Sequence, residues 1–139
     1  MVNKWGFAAL LALGMHFAAS YLVPLDQPSQ RTFGGLLRWV WPWSDGDGGP
    51  LGRVTVAAGF PLVGFAIAMG TVVLLLLAAL AVTGFGVPFR WWRLLVGGGA
   101  GLSVVLMVLF FGPTKLLPLG FDLALLYVAL ARPAILATA

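Results

Sequence analysis

Residues 54–82 read VTVAAGFPLVGFAIAMGTVVLLLLAALAV and contain no charged side chain. A helix needs about 20 predominantly apolar residues to cross the roughly 30 Å hydrocarbon core of a bilayer, so this run is long enough to span it. Three further apolar runs occupy residues 5–23, 94–111 and 116–131. Together the runs predict an all-α integral membrane protein in which four transmembrane helices form a bundle.

The composition agrees with a membrane location. Hydrophobic residues make up 61% of the chain and charged residues only 9%, whereas soluble domains carry about 25% charged residues. The formal net charge of +4 is small, and the basic residues lie mostly near the ends of the apolar runs, where they anchor to headgroups. We therefore expect one membrane domain over residues 1–139, with the lipid bilayer as its first partner and no binding to nucleic acid. The chain has no cysteine, which excludes disulfides and thiolate chemistry.

The first apolar run has an alternative interpretation as a secretory signal. Lys4 precedes the run, and the small residues 18–20 are typical of a cleavage site. The run is longer than the usual apolar region of a signal, which is about 7–15 residues. We therefore expect a retained helix.

Residues 24–53 form the long connection between the first two runs. Apolar residues recur at helical spacing over about 31–41, which predicts a short amphipathic helix lying in the membrane interface. Trp39, Trp41 and Trp43 are expected to set the depth of this helix, because tryptophan side chains prefer the headgroup level.

A second set of interface anchors lies between the second and third runs, at Arg90, Trp91, Trp92 and Arg93. Four spans place both termini on one side. This compact basic cluster marks the inner side, because cytoplasmic segments favour Lys and Arg. The sequence therefore predicts a bacterial cytoplasmic membrane protein with both termini cytoplasmic.

Small residues at four-residue spacing predict where helices pack closely. Gly97 and Gly101 form a GxxxG pair at the start of the third run, and Gly64 and Ala68 form a similar pair in the second. Close approach of backbones is a main source of helix association in lipid. We expect both pairs to be helix contacts.

His16 and Asp122 are the strongly polar side chains inside the runs. At 1.5 Å per residue they lie roughly 12 Å and 9 Å from the same membrane surface. An ionisable residue inside a membrane is a functional hypothesis by default. We predict that His16 and Asp122 form an intramembrane polar pair if the first and fourth helices are neighbours, either as a polar contact between helices or as part of a binding site.

His16 also permits a pigment hypothesis. Ala12 lies four residues before it, and this spacing resembles the Ala-xxx-His pattern of light-harvesting helices. That resemblance covers five residues and implies ligation of bacteriochlorophyll magnesium through His16. No other metal site is predicted.

The sequence predicts a non-catalytic structural or accessory subunit of a larger membrane complex, respiratory or photosynthetic, because groups suited to catalysis are scarce. Its partners would be other membrane subunits or further copies of the chain. One alternative is a small carrier or a lipid- or quinone-binding protein that uses His16 and Asp122, and another is a pigment-binding subunit. We predict no enzyme activity and no required cofactor, with quinone or bacteriochlorophyll as the alternatives. In span number, the layout resembles small bacterial membrane proteins of the DoxX type.

Overall fold

The computed structural model describes residues 3–22, 39–40, 61–131 and 136. This part of the chain is helical and contains no strand. Its helices are α1 (Lys4–Ala19), α2 (Pro61–Thr83), α3 (Trp92–Leu109) and α4 (Leu116–Ala131). Short 3-10 turns at Phe89–Trp91 and Pro113–Lys115 lead into α3 and α4. Residues 39 and 40 are also helical, and the rest of the predicted interfacial helix lies outside the described residues.

Three helices of the described part are long and apolar enough to cross a membrane, where the sequence predicted four spans. The structure confirms a helical fold compatible with a membrane, but the predicted first span over residues 5–23 was too long. Helix α1 has 16 residues and is about 24 Å long at 1.5 Å per residue. That length falls short of the roughly 30 Å hydrocarbon core.

Local hydrogen bonds end α1 at Ala19. Ser20 donates from its Oγ to the carbonyl of Phe17 at 2.7 Å. The amides of Tyr21 and Leu22 bond to carbonyls three residues back rather than four, which tightens the chain into a turn. The helix therefore ends at Ala19, although the apolar run continues through Tyr21 and Leu22.

Glycine sets the end of α2, whose described residues begin at Pro61. Gly84 follows the last residue with a φ of +84°, and the amide of Phe85 reaches back to the carbonyl of Leu80 at 2.9 Å. This is a Schellman motif, a helix ending that depends on glycine at the position after the last helical residue. The predicted second span began at residue 54, and residues 54–60 lie outside the described part.

The helices pack in chain order as an antiparallel bundle, α1 on α2, α2 on α3 and α3 on α4. Helix α4 also returns to α1, where the rings of Phe17 and Phe121 meet edge to face at 5.9 Å. We call the end where α1 and α3 finish the Lys115 end, and the end where they begin the Arg93 end. A continuous core runs between these ends, with residues such as Leu11, Leu75 and Val96 fully buried.

The glycine run of α3 packs differently from the GxxxG prediction. At Gly99 a side chain has no room, because its Cβ would stand 2.8 Å from Cδ2 of Leu75 on α2. Gly101 faces α4 instead, where a Cβ would stand 3.9 Å from Cδ1 of Leu126, and a Cβ at Gly97 would meet no heavy atom of another described residue within 4 Å. Gly97 and Gly101 therefore do not form one contact. Gly99 is the point of closest approach because it lies on the same stripe as the buried Val96 and Ser103.

The second predicted pair, Gly64 and Ala68, faces the interior of the bundle. The hydroxyl end of the Tyr21 side chain lies directly over Gly64, where a methyl group would collide with it. Ala68 is fully buried and packs with Phe17 and Phe110 near the Lys115 end. This small-residue pair therefore seats the end of α1 against α2.

Candidate functional site

Asp122 lies on the inner stripe of α4 with no exposed surface. Its Oδ2 accepts a hydrogen bond from the Oγ of Ser103 on α3, which is equally buried. A carboxyl group inside an apolar bundle is costly without polar partners. The hydroxyl of Ser103 reduces that cost and joins α3 to α4.

The interior polar layer extends beyond this bond. The Oδ1 atom of Asp122 has no hydrogen-bond partner in the described part of the chain. On α2, the fully buried Thr71 donates to the carbonyl four residues back on its own helix, at 3.0 Å. Because α2 and α3 are antiparallel and Gly99 meets Leu75, Thr71, four residues before Leu75, lies level with Ser103, four residues after Gly99. Helices α2, α3 and α4 thus each supply one polar side chain to the same depth.

Lys115 is a further charged residue inside the bundle. It ends the 3-10 turn before α4 and has no exposed surface. It lies two helical turns before Asp122, on the same side of α4. Its Nζ is 3.7 Å from the position that a Cβ of Gly112 would take. The side chain therefore reaches back toward the connection between α3 and α4. Among the described residues, the interior therefore carries one basic and one acidic side chain, at different depths.

His16 and Asp122, predicted to pair, are not brought together. The Nε2 atom of His16 donates to the carbonyl of Val40 at 2.8 Å, and its ring lies 6.0 Å from that of Phe17. His16 is half-buried, on the side of α1 that meets residues 39–40. Asp122 uses Ser103 because α4 packs mainly against α3 and touches α1 only lightly. Similar depth alone did not determine the partner.

No family model matches the chain, and no curated protein or solved structure is similar to it. The geometry of its own residues is therefore the basis for any functional proposal.

Among the predicted interface anchors, Arg93 has a definite structural contact. Its Nε donates to the carbonyl of Ala129 at 2.9 Å, and its Nη2 lies 3.5 Å from the carbonyl of Leu130. These carbonyls belong to the last described turn of α4. A cation there also faces the negative end of the helix dipole. Arg93 therefore holds the end of α4 against the start of α3.

The aromatic anchors divide into two groups. Trp39 and Trp91 are exposed, at 45% and 47% of their surface, and Arg90 is also exposed. Trp92 instead belongs to the core, with 3% of its surface exposed and its ring against that of Phe7 at 5.9 Å. The first turn of α3 directs Trp92 toward α1, so the prediction that it anchors the interface was wrong. Trp41 and Trp43 lie outside the described residues.

Sequence reasoning missed Ser103, Thr71 and Lys115 as members of the interior polar set. A signal for Ser103 was present, since it lies four residues after Gly99 and four before Met107 on one helical stripe. Lys115 gave no such signal, because a lysine at a helix start is expected to extend to the membrane surface. In chemical terms, the arrangement joins α3 to α4 through the buried hydrogen bond from Ser103 and leaves the Oδ1 of Asp122 without a partner among the described residues.

Proposed function

We propose that this chain is a structural, non-catalytic subunit of a larger membrane complex, respiratory or photosynthetic, in a bacterial cytoplasmic membrane. Both termini would lie on the cytoplasmic side, because α1 begins and α4 ends at the same end of the antiparallel bundle. Support comes from the use of its polar side chains: Ser103 bonds Asp122, and Arg93 bonds the end of α4. These contacts stabilise the helices of the chain itself, which suits a scaffold.

Glycines on the outer faces of the helices carry this proposal. At Gly6, Gly97 and Gly120, no heavy atom of a described residue lies within 4 Å of the Cβ position. Each such glycine costs a helix about 1 kcal/mol relative to alanine, and the packing of the described helices does not require it. Glycine on a helix surface lets another helix approach closely in lipid. These positions therefore favour contact with a helix of a partner subunit.

Leucine substitutions at the open glycines test the proposal. Gly6→Leu, Gly97→Leu and Gly120→Leu add a side chain where this chain has space but a docked partner helix would not. The complex is extracted from native membranes in mild detergent, and its mass and stoichiometry are measured by native electrophoresis and mass spectrometry. We expect at least one variant to lose a stoichiometric partner that the native chain retains.

The three variants control for one another, because leucine favours a helix over glycine at every position. Unfolding of each purified variant should therefore require at least as much denaturant as the native chain. If the native chain is extracted as a lone species, or if all three variants keep every partner, the subunit proposal fails.

A small carrier or a lipid- or quinone-binding protein is the second candidate. The observation that favours it is the buried Oδ1 of Asp122, which has no hydrogen-bond partner among the described residues. Asp122→Asn keeps the size and the acceptor for Ser103 but removes the ionisable group. In proteoliposomes, a carrier would lose quinone binding or proton uptake in this variant, whereas a structural subunit would keep its full complement of partners.

The pigment alternative makes a specific demand on His16. The Nε2 atom of His16 is bonded to the carbonyl of Val40, so ligation of bacteriochlorophyll magnesium through that atom would require the bond to break. A colourless complex with intact stoichiometry after purification from native membrane would remove this alternative.

A further inference from the structure

Among the described residues, the Arg93 end of the bundle carries basic side chains and no acidic one. Lys4, Arg90 and Arg93 all lie there, because α1 and α3 begin at this end. The sequence has four acidic residues, Asp26, Asp45, Asp47 and Asp122. Of these, Asp122 is the one within the described residues, and it is bonded to Ser103 inside the bundle. The described part of the Arg93 end therefore presents cations alone.

Ring contacts bring two of these cations onto one surface. The Nζ of Lys4 lies 5.8 Å from the ring centroid of Phe89, and Arg90 is the next residue in the same 3-10 turn. The Phe89 ring packs against that of Trp92 at 6.3 Å, and Trp92 is fixed in the core. The start of α1 and the turn before α3 are thus held side by side, with Lys4 and Arg90 on adjoining parts of the surface.

These two side chains are available to a ligand. Within the described residues, neither Lys4 nor Arg90 has a hydrogen bond or an ion pair, and Arg90 is exposed. Arg93 differs, because two of its nitrogens already face carbonyls of α4. Arg93 therefore acts mainly in the fold, and Lys4 and Arg90 are the candidates for binding an anion.

Exposed aromatic and apolar side chains surround the cations and indicate that the anion is the headgroup of a membrane lipid. Trp5, Phe85 and Trp91 are exposed at 64%, 62% and 47%, and aromatic rings of this kind prefer the headgroup level. Leu94, one turn further along α3, is exposed at 71% on a helix apolar enough to lie in hydrocarbon. A phosphate group bound beside Lys4 and Arg90 would thus be attached to acyl chains lying along α3.

We infer that the Arg93 end binds the phosphate headgroup of an anionic phospholipid, with Lys4 and Arg90 as the cations that recognise it. Charge complementarity selects an anionic lipid over a zwitterionic one. The bound lipid would lie between the start of α1 and the turn before α3, and would add to the contacts that join them.

Lipid titration of the purified full-length chain tests this inference. Phosphatidylglycerol and phosphatidylcholine with identical acyl chains are added to the protein in neutral detergent, and bound lipid is counted by native mass spectrometry. We expect tighter binding of phosphatidylglycerol, weakened by added salt. The double variant Lys4→Gln/Arg90→Gln should bind it about 30-fold more weakly, since each cation near a membrane surface contributes about fivefold.

The matched control is Lys4→Arg/Arg90→Lys, which keeps both charges and should retain most of the preference. If the neutral double variant does not fold, Arg90→Gln alone replaces it, because that side chain is exposed, and about a fivefold loss is expected. Equal binding of the two lipids would overturn the inference. An unchanged preference in the neutral variant, or displacement of the lipid by inorganic phosphate at equal concentration, would do the same.

Discussion

The two interfaces of α3 are built on opposite principles. Toward α2, the closest approach depends on the absence of a side chain, at Gly99 against Leu75. Toward α4, the contact depends on side chains that reach across, Ser103 to Asp122 and Arg93 to the end of the helix. Backbone proximity brings many weak contacts, whereas a polar bond brings one directional contact. The glycine interface should therefore tolerate added volume poorly, and the polar interface should tolerate isosteric change well.

The largest expected effect comes from filling the glycine contact. Gly99→Ala places a methyl group 2.8 Å from Cδ2 and 2.9 Å from Cγ of the fully buried Leu75. Overpacking of this kind costs about 1–3 kcal/mol, because the helices must separate or Leu75 must leave its preferred rotamer. The free energy of unfolding, measured by titration with SDS in mixed micelles, should fall by about 2 kcal/mol.

Gly97→Ala is the matched control on the same helix, since its Cβ position is open among the described residues. Alanine should stabilise α3 there by up to about 1 kcal/mol. A loss of stability at position 97 equal to that at position 99 would mean that the contact with Leu75 is not the cause, because helix propensity favours alanine at both positions.

The intermediate effect tests the polar interface. Ser103→Ala removes the donor to Asp122 and should lower the free energy of unfolding by about 1 kcal/mol, within the range measured for hydrogen bonds between membrane helices. Asp122→Asn should cost less, because the amide oxygen still accepts from Ser103. The same SDS titration measures both variants.

A double-mutant cycle with Ser103→Ala and Asp122→Ala then isolates the bond. The coupling energy should be about 0.6 kcal/mol, the average for such pairs in a membrane protein. Additive effects of the two substitutions would show that the bond does not join the helices energetically.

The smallest expected effect is at the Arg93 end. Arg93→Gln removes the cation from the last carbonyls of α4 and should lower stability by about 0.5 kcal/mol, the usual size of a charge at a helix terminus. Arg90→Gln is the neighbouring control. Its side chain makes no hydrogen bond among the described residues, so unfolding in neutral detergent should be unchanged. A larger effect at Arg90 than at Arg93 would reverse the roles that the structure assigns to them.

The hydropathy pattern predicted the bounds of a helix well where the helix ends at the same residue as the apolar run. The fourth span was predicted as residues 116–131, and α4 has the same bounds, since the turn Gly112–Lys115 precedes it. The first span was predicted too long, because the run continues through Tyr21 and Leu22 while Ser20 turns the backbone. A hydropathy pattern records where apolar residues lie and contains no information on local hydrogen bonds.

Partners were predicted less well than helices. Spacing indicated Gly97 with Gly101, yet Gly99 makes the close contact, since the rotation of α3 about its axis decides which glycine faces α2. Depth indicated His16 with Asp122, yet Ser103 is the partner. Both errors have the same origin. The position of a residue along a helix axis follows from its place in the sequence, but the neighbour toward which its side chain points depends on how the helix is rotated in the bundle.

The sequence by itself determined that this protein is helical and apolar enough for a membrane, because long uncharged runs leave few other ways to satisfy the backbone in lipid. Only the tertiary structure decided that Asp122 faces Ser103, that Lys115 is buried, and that Trp92 belongs to the core rather than the interface. These outcomes depend on the rotation and offset of each helix against its neighbours. Rotation and offset are set by the packing of many side chains at once, which no single stretch of sequence contains.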